Sequence, residues 1–152
     1  MQRILVDADA CPVKEIILRL AKHRGIPVTM VIDTSHELND GYSTVITVDK
    51  GSDSADYAIV NMAGCRDIVV TQDYGLAAMV LAKGASALDQ NGMVYTSENI
   101  DNLLERRYIG QKIRRSGGRT KGPKKRTRED DAKFEAALAA MLDSFTGSQP
   151  RT

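Results

Sequence analysis

The chain has no tryptophan, two phenylalanines and five tyrosines in 152 residues, so its core has to be aliphatic. Cysteine is almost absent. Cys11 and Cys65 supply neither a disulfide framework nor a paired metal spacing, and the expected compartment is the reducing cytoplasm. The two histidines, His23 and His36, have no partner motif and read as surface residues. Long apolar runs are missing too. A membrane-spanning helix needs about 20 apolar residues, and the longest helical run, Leu76 to Ala82, falls far short. No membrane partner is expected. Arg3-Ile-Leu-Val6 runs straight into Asp7, which is not the pattern of a signal peptide. What remains, 42% apolar and 27% charged residues, describes a single globular domain spanning 1–152.

The net charge of +1 conceals a division. Between Arg106 and Arg128 stand eleven basic residues and no acidic one, which leaves ten basic against twenty acidic residues elsewhere, or −10. An acidic body with a cationic segment bears on partners rather than on fold.

Strand and helix patterns alternate along the chain. Arg3–Val6 reads as a strand, followed by Pro12 at a helix start. Val13, Ile16, Ile17, Leu20 and Ala21 then recur at helical spacing up to Gly25. Strands follow at Pro27–Ile32 and Thr44–Val48, joined by a polar stretch without a clear helix. A helix over 53–63 precedes a strand at Ile68–Thr71, and a helix over Tyr74–Lys83 ends at Gly84. Short strands at Ser86–Leu88 and Met93–Tyr95 flank the Asn91-Gly92 turn signal. Ser97 is expected to cap a helix carrying Ile100, Leu103, Leu104 and Tyr108. Thr127 with Asp130 makes a capping box before a last helix with Phe134, Leu138, Met141, Leu142 and Phe145 on one stripe. The expected fold is therefore a three-layer α/β core over 1–112 with a mainly parallel sheet. A basic, glycine-rich loop over 113–127 and a docking helix over 128–146 complete it.

Aspartate closes every strand: Asp7 and Asp9, Asp33, Asp49, Asp73 and Asp89. In an open parallel sheet the carboxyl ends of the strands share one edge, where ligands bind. Many of these aspartates are explained by turns and helix caps. Three segments are more concentrated. Asp7-Ala-Asp9 follows the first strand, Asp53 and Asp56 stand one turn apart at a helix start, and Asp73 follows the fourth strand. If the first and fourth strands are neighbours, Asp7 and Asp73 meet. Such a pocket of Asp7, Asp9, Asp53, Asp56 and Asp73 suits Mg²⁺ or Mn²⁺, which prefer oxygen ligands, and metal-assisted hydrolysis of phosphodiesters. In the competing reading, Asp9 and Asp53 merely cap helices.

Four segments carry a resemblance: Asp-Ala-Asp-Ala-Cys-Pro-Val at 7–13, Gly-Ser-Asp-Ser-Ala-Asp-Tyr at 51–57, Thr-Gln-Asp-Tyr-Gly-Leu-Ala at 71–77 and Gly-Gly-Arg-Thr-Lys-Gly-Pro at 117–123. In this order, across nearly the whole chain, they resemble the YaiI/YqxD family of bacterial proteins. That family resembles the PIN-like nuclease superfamily, whose members hold Mg²⁺ or Mn²⁺ in acidic pockets and cleave RNA or DNA. The resemblance implies catalytic roles for Asp7, Asp56 and Asp73, with Asp9 and Asp53 beside them in the metal shell.

The basic segment fits a polyanion, since lysine and arginine neutralise phosphates without reading sequence. Arg114, Arg115, Arg119, Lys121, Lys124, Lys125 and Arg126 are its candidate contacts to RNA or DNA; the alternative is a solvated linker. Tyr108 is the only ring nearby, so base stacking is not expected to dominate. Cys11, beside the acidic pair, reads as a small packing residue, because the Cys-x₅-Arg phosphatase spacing meets Ile17 instead. Two further functions stay open: a non-catalytic nucleic-acid-binding or regulatory module with a degenerate site, and a haloacid-dehalogenase-like phosphatase. The second also begins with Asp-x-Asp after a strand, but here Thr71 follows the Asp53/Asp56 pair, the reverse of the order that chemistry needs.

Overall fold

The computed structural model describes residues 2–9, 11–33, 38–51, 53–115 and 125–148, with all their side chains except those of 107, 110, 111, 113–115 and 145–148. The elements run β1 (Ile4–Asp7), α1 (Lys14–Arg24), β2 (Val28–Asp33), β3 (Thr44–Val48), α2 (Ser54–Met62), β4 (Ile68–Val70), α3 (Tyr74–Ala82), β5 (Ser86–Leu88), α4 (Ser97–Arg115) and α5 (Arg128–Ser148).

The five strands form one sheet in the order β3-β2-β1-β4-β5, parallel throughout. Ile4 pairs with Val28 on one side and Ile68 on the other. The strands are nearly unbroken apolar runs because both faces are covered. Ile4, Val6, Met30 and Val70 pack with Ile17 of α1 and with Phe134, Leu138 and Leu142 of α5. Leu5, Val31 and Val69 face the other way, onto Ile59 of α2, Leu76 and Val80 of α3, and Ile100 of α4. Successive strand residues thus feed two separate cores, which is the period-two rule at work. The three-layer α/β architecture expected from the sequence is the architecture present.

The docking of the last helix is apolar. Phe134, Leu138 and Leu142 are wholly buried, and burying each such side chain stabilises by about 1.5–3 kcal/mol. The ion pairs that flank this seam, Arg19 to Glu135 at 2.5 Å and Arg24 to Asp143 at 3.0 Å, are largely exposed and orient the helix more than they hold it. The β5–α4 turn touches the same helix. Gly92 has φ +88°, and a Cβ there would lie 2.6 Å from the Lys133 carbonyl oxygen, so only glycine permits the approach.

Several local expectations change. Pro12 lies in a turn, and α1 begins two residues later at Lys14. The Met93–Tyr95 strand reduces to one antiparallel bridge between Leu88 and Val94. The cap of α4 is Thr96 rather than Ser97: its Oγ1 accepts the Asn99 amide at 3.1 Å, and Asn99 Oδ1 returns a bond to the Thr96 amide at 2.9 Å. The Thr127–Asp130 box forms reciprocally, at 3.0 and 3.2 Å. Helix α4 continues to Arg115, three residues beyond the core boundary expected at 112. Phe145's side chain and His36 lie outside the described residues.

Candidate functional site

The strand order decides which aspartates meet. The chain leaves β1 toward β2 and β3, then returns across the sheet to β4 and β5. The switch point therefore falls between β1 and β4, and a crevice opens beyond their carboxyl ends. Asp7 ends β1 and Asp73 caps α3, which follows β4. Asp33 and Asp49 end the strands on the far side of β1. Asp89 is engaged in the turn after β5, where its Oδ1 accepts the amides of Asn91 and Met93, both at 2.9 Å.

Thr71 ties the two central aspartates together. Its hydroxyl donates to Asp7 Oδ2 at 3.0 Å and accepts the backbone N–H of Asp73 at 3.0 Å. Asp73 in turn accepts the Leu76 amide at 3.2 Å, which starts α3. Thr71 is buried, and its carbonyl accepts the hydroxyl of buried Tyr95 at 3.1 Å. The phosphatase reading needs the Thr71 hydroxyl for a ligand, whereas here it is engaged with the protein.

Helix α2 brings the third carboxylate. It follows the edge strand β3 and packs over β2 and β1 on the way back to β4, so its first turn reaches the switch point. Asp56 lies in that turn. Burial pushes its carboxyl up to about 6, and the charges of Asp73, Asp7 and Asp53, with a hydrogen bond to Asp73, add to the effect. Asp7 is raised too, chiefly by burial and then by Asp73 and Asp9, while the Thr71 hydroxyl opposes the shift. Asp53 stands at the N-cap of α2 and makes no capping bond through its side chain.

The sign of the Asp56 shift yields a prediction. The folded chain holds a proton on Asp56 more tightly than an ordinary carboxyl at 3.8 does. Its contribution to stability is therefore complete below 3.8 and is lost as pH rises through about 6. Asp56→Asn removes that loss. At pH 8 its thermal midpoint should exceed that of the wild type, by roughly 2–4 °C if about 1 kcal/mol of repulsion survives solvent screening. At pH 4 the two should nearly coincide. A lower midpoint for the variant at pH 8 contradicts the crowding of carboxylates described above.

Asp9 is placed differently. Its Oδ2 accepts the Asp33 amide at 3.1 Å, stapling the end of β1 to the end of β2. It caps no helix at Pro12, and it lines a small hollow of about 40 Å³ with Asp7, Cys11, Val70, Thr71, Gln72 and Gln90. One water needs at least about 10–15 Å³ of such space, so the hollow has room for water. A wider, open hollow of about 380 Å³ adjoins it, lined by Asp7, Gln72, Asp73 and Tyr74. Gln72 and Gln90 hydrogen-bond to each other at the rim. Burial raises the Cys11 thiol, and Cys11 packs against the α1-side core, which suits a packing residue and not a thiolate nucleophile.

Among the described residues, no group of three or more His, Cys, Asp or Glu side chains is already arranged to hold a metal ion. The donors that do converge are all hard carboxylate oxygens in mutual repulsion. That set fits an ion which keeps most of its waters and takes one or two carboxylates, the usual habit of Mg²⁺. It does not fit a cage made by the protein alone. Asp7 and Asp73, with Asp56 beside them, are the residues that would hold such an ion.

Of the basic candidates, Arg119, Lys121 and Lys124 lie outside the described residues, as do the side chains of Arg114 and Arg115 at the end of α4. Lys125 is exposed. Arg126 is largely engaged within the protein. Its guanidinium donates to Asp131 Oδ1 at 2.6 Å, Asn91 Oδ1 at 2.9 Å and the Gln90 carbonyl at 2.7 Å. It pins the start of α5 to the turn that carries Gln90, and so to the rim of the small hollow.

A family model described as "Uncharacterized BCR, YaiI/YqxD family" matches residues 5–144. A UPF0178 protein of Ruminiclostridium cellulolyticum is 65% identical over 140 residues, covering 92% of each chain. One from Exiguobacterium sibiricum is 54% identical over 144 residues, 95% of this chain and 99% of that one. Among solved structures, Rae1 (YacP) from Bacillus subtilis aligns over 95% of this chain and 99% of its own, with 21% identity and a TM-score of 0.43, a score that supports no argument. The family match spans β1 to α5 and takes in Asp7, Asp56, Thr71 and Asp73 alike: the chain belongs to the YaiI/YqxD family.

Proposed function

We propose that the chain is a metal-dependent nuclease that hydrolyses phosphodiesters of RNA, or of DNA, with Mg²⁺ or Mn²⁺, and that its site resembles those of PIN-like nucleases. The observation that carries this reading is the convergence of Asp7, Asp56 and Asp73 at the switch point, where burial first, and then the charges of Asp73 and Asp7, push Asp56 up to about 6. Carboxylates so crowded favour either a proton or a cation between them. When bound, the ion supplies a polarised phosphoryl oxygen and a water acidified toward neutral pH.

The chain's own groups have definite parts in this. Asp7 and Asp73 would hold the cation, and the Thr71 hydroxyl ties their two segments together by bonding to both. Asp56, ionised above about pH 6, accepts the proton released by the attacking water. The open hollow beside Asp7 and Asp73 receives the phosphodiester. The cations of 106–128 neutralise phosphates farther along the strand and confer no sequence preference. Free thiols at Cys11 and Cys65 suit a reducing cytoplasm.

One observation favours the second reading, a nucleic-acid-binding module without catalysis: no ready three-ligand group stands among the described residues. The two readings separate in one assay. End-labelled RNA is incubated with the purified chain and Mn²⁺, with Asp73→Asn in parallel. Cleavage by the wild type alone supports the nuclease. Binding without cleavage under every metal condition supports the module.

A further inference from the structure

Helix α4 begins as a packed element, and from Glu105 on its described side chains are exposed. Ile100 is buried, and Leu103 and Leu104 pack on the α3-side core. Tyr108 continues that stripe one turn on, yet it is 60% exposed, and Ile109 is 48% exposed. Glu105, Arg106 and Lys112 are exposed as well. After Glu105 the helix contains no acid, but it holds Arg106, Arg107, Lys112, Arg114 and Arg115. The Lys112 ammonium lies 5.7 Å from the centre of the Tyr108 ring, within range of a cation–π contact. An exposed aromatic ring with exposed Arg106 and Lys112 on the same helix, in a stretch whose sequence carries five basic residues, is a poor surface for an apolar protein partner. It is a good one for a flexible polyanion whose units carry flat rings.

We propose that this half of α4 is a stacking platform for single-stranded nucleic acid: Tyr108 takes one unpaired base, and Lys112 and Arg106 take the adjoining phosphates. The inference rests on the nuclease reading for its ligand class and adds the requirement of an unpaired base. Tyr108 lies eleven residues from Ser97, about 16 Å along the helix axis at 1.5 Å per residue. Ser97 itself follows Tyr95, which is bonded to Thr71 of the acidic site. A strand running from the carboxylates along α4 reaches the ring within a few nucleotides. Duplex cannot use the platform, because its bases are already stacked on each other.

The test uses the full chain with EDTA, so that no cleavage is needed, and a 12-nucleotide RNA carrying one 2-aminopurine. Its fluorescence reports stacking. Tyr108→Leu should weaken binding of the single strand by roughly 5- to 100-fold, the usual worth of one stacked base, and abolish the fluorescence change. Tyr108→Phe should retain both. The slope of log K against log salt should stay the same in Tyr108→Leu, because no charge is removed. Binding to the same RNA in a duplex should be nearly unaffected. Wild-type affinity and fluorescence change in Tyr108→Leu, equal losses on single strand and duplex, or no RNA binding by the wild type would each overturn the proposal. If Tyr108→Leu loses binding while no RNA is ever cut with Mn²⁺, the nuclease reading fails and the platform stands. If the wild type cuts RNA but Tyr108→Leu binds normally, the reverse holds.

Discussion

Asp73→Asn is expected to abolish RNA hydrolysis while leaving the fold in place. Asparagine is the informative substitution because it keeps the cap. Asp73 starts α3 by accepting the Leu76 amide, and asparagine caps helices about as well as aspartate does. The Thr71 hydroxyl can still accept the position-73 amide, since that bond uses the backbone. What the variant loses is one negative charge at the switch point. A hard cation then has only Asp7 and Asp56 to neutralise it, and Asp56 loses the charge that most raises its pKa after burial. Both the metal and the proton acceptor are affected, so the rate should fall at least about 100-fold, the lower end for loss of a general acid–base contribution. The measurement is the initial rate on end-labelled RNA with Mn²⁺, beside a thermal melt showing a midpoint near that of the wild type. Cleavage that survives Asp73→Asn unchanged belongs to a contaminant.

The second large effect concerns the basic segment. If roughly five of its cations contact single-strand phosphates, log K should fall against log salt with a slope of about −3.5, from −0.7 per contact. Replacing Arg114, Arg115, Arg119, Lys124 and Lys125 with serine should flatten that slope toward zero and weaken binding on all sequences alike. Arg126 is left in place because its guanidinium joins Gln90, Asn91 and Asp131, so its loss would disturb the rim of the site as well. A variant that binds RNA as the wild type does across the salt series would show that 106–128 is a linker. A variant that also loses Mn²⁺ would show that the segment shapes the carboxylate pocket.

The fold was legible wherever it depended on burial. Val-Thr-Met-Val-Ile and Ile-Val-Val are strands because both faces are covered, and their apolar runs say so directly. The meeting of Asp7 with Asp73 followed from the usual topology of such sheets, and the order β3-β2-β1-β4-β5 bears it out. Less legible was anything resting on one hydrogen bond. Thr71 sits at the end of an apolar strand, and nothing in its neighbours announces a hydroxyl shared between two aspartate segments. Asp9 accepts the Asp33 amide, a partner 24 residues away that no spacing rule reaches. Thr96 and Ser97 are adjacent hydroxyls, so sequence alone does not separate the cap from the first helical residue. The length of α4 was hidden for another reason. From Glu105 on its described side chains are exposed, and an apolar stripe is what marks a helix in sequence. There the good intrinsic propensity of glutamine, lysine and arginine carries the helix instead.

The most direct test of the central claim is calorimetric titration of Mn²⁺ into wild type and Asp7→Asn at pH 7.5, above the value of about 6 at Asp56. Asp7 is the right residue to change because it lies at the switch point, is held by Thr71 at 3.0 Å, and lines both hollows. The wild type should bind Mn²⁺, more weakly at pH 5 where protons compete, and Asp7→Asn should show no binding in the same range. Equal binding by the two proteins would contradict the assignment of this pocket as a metal site, and the nuclease reading with it.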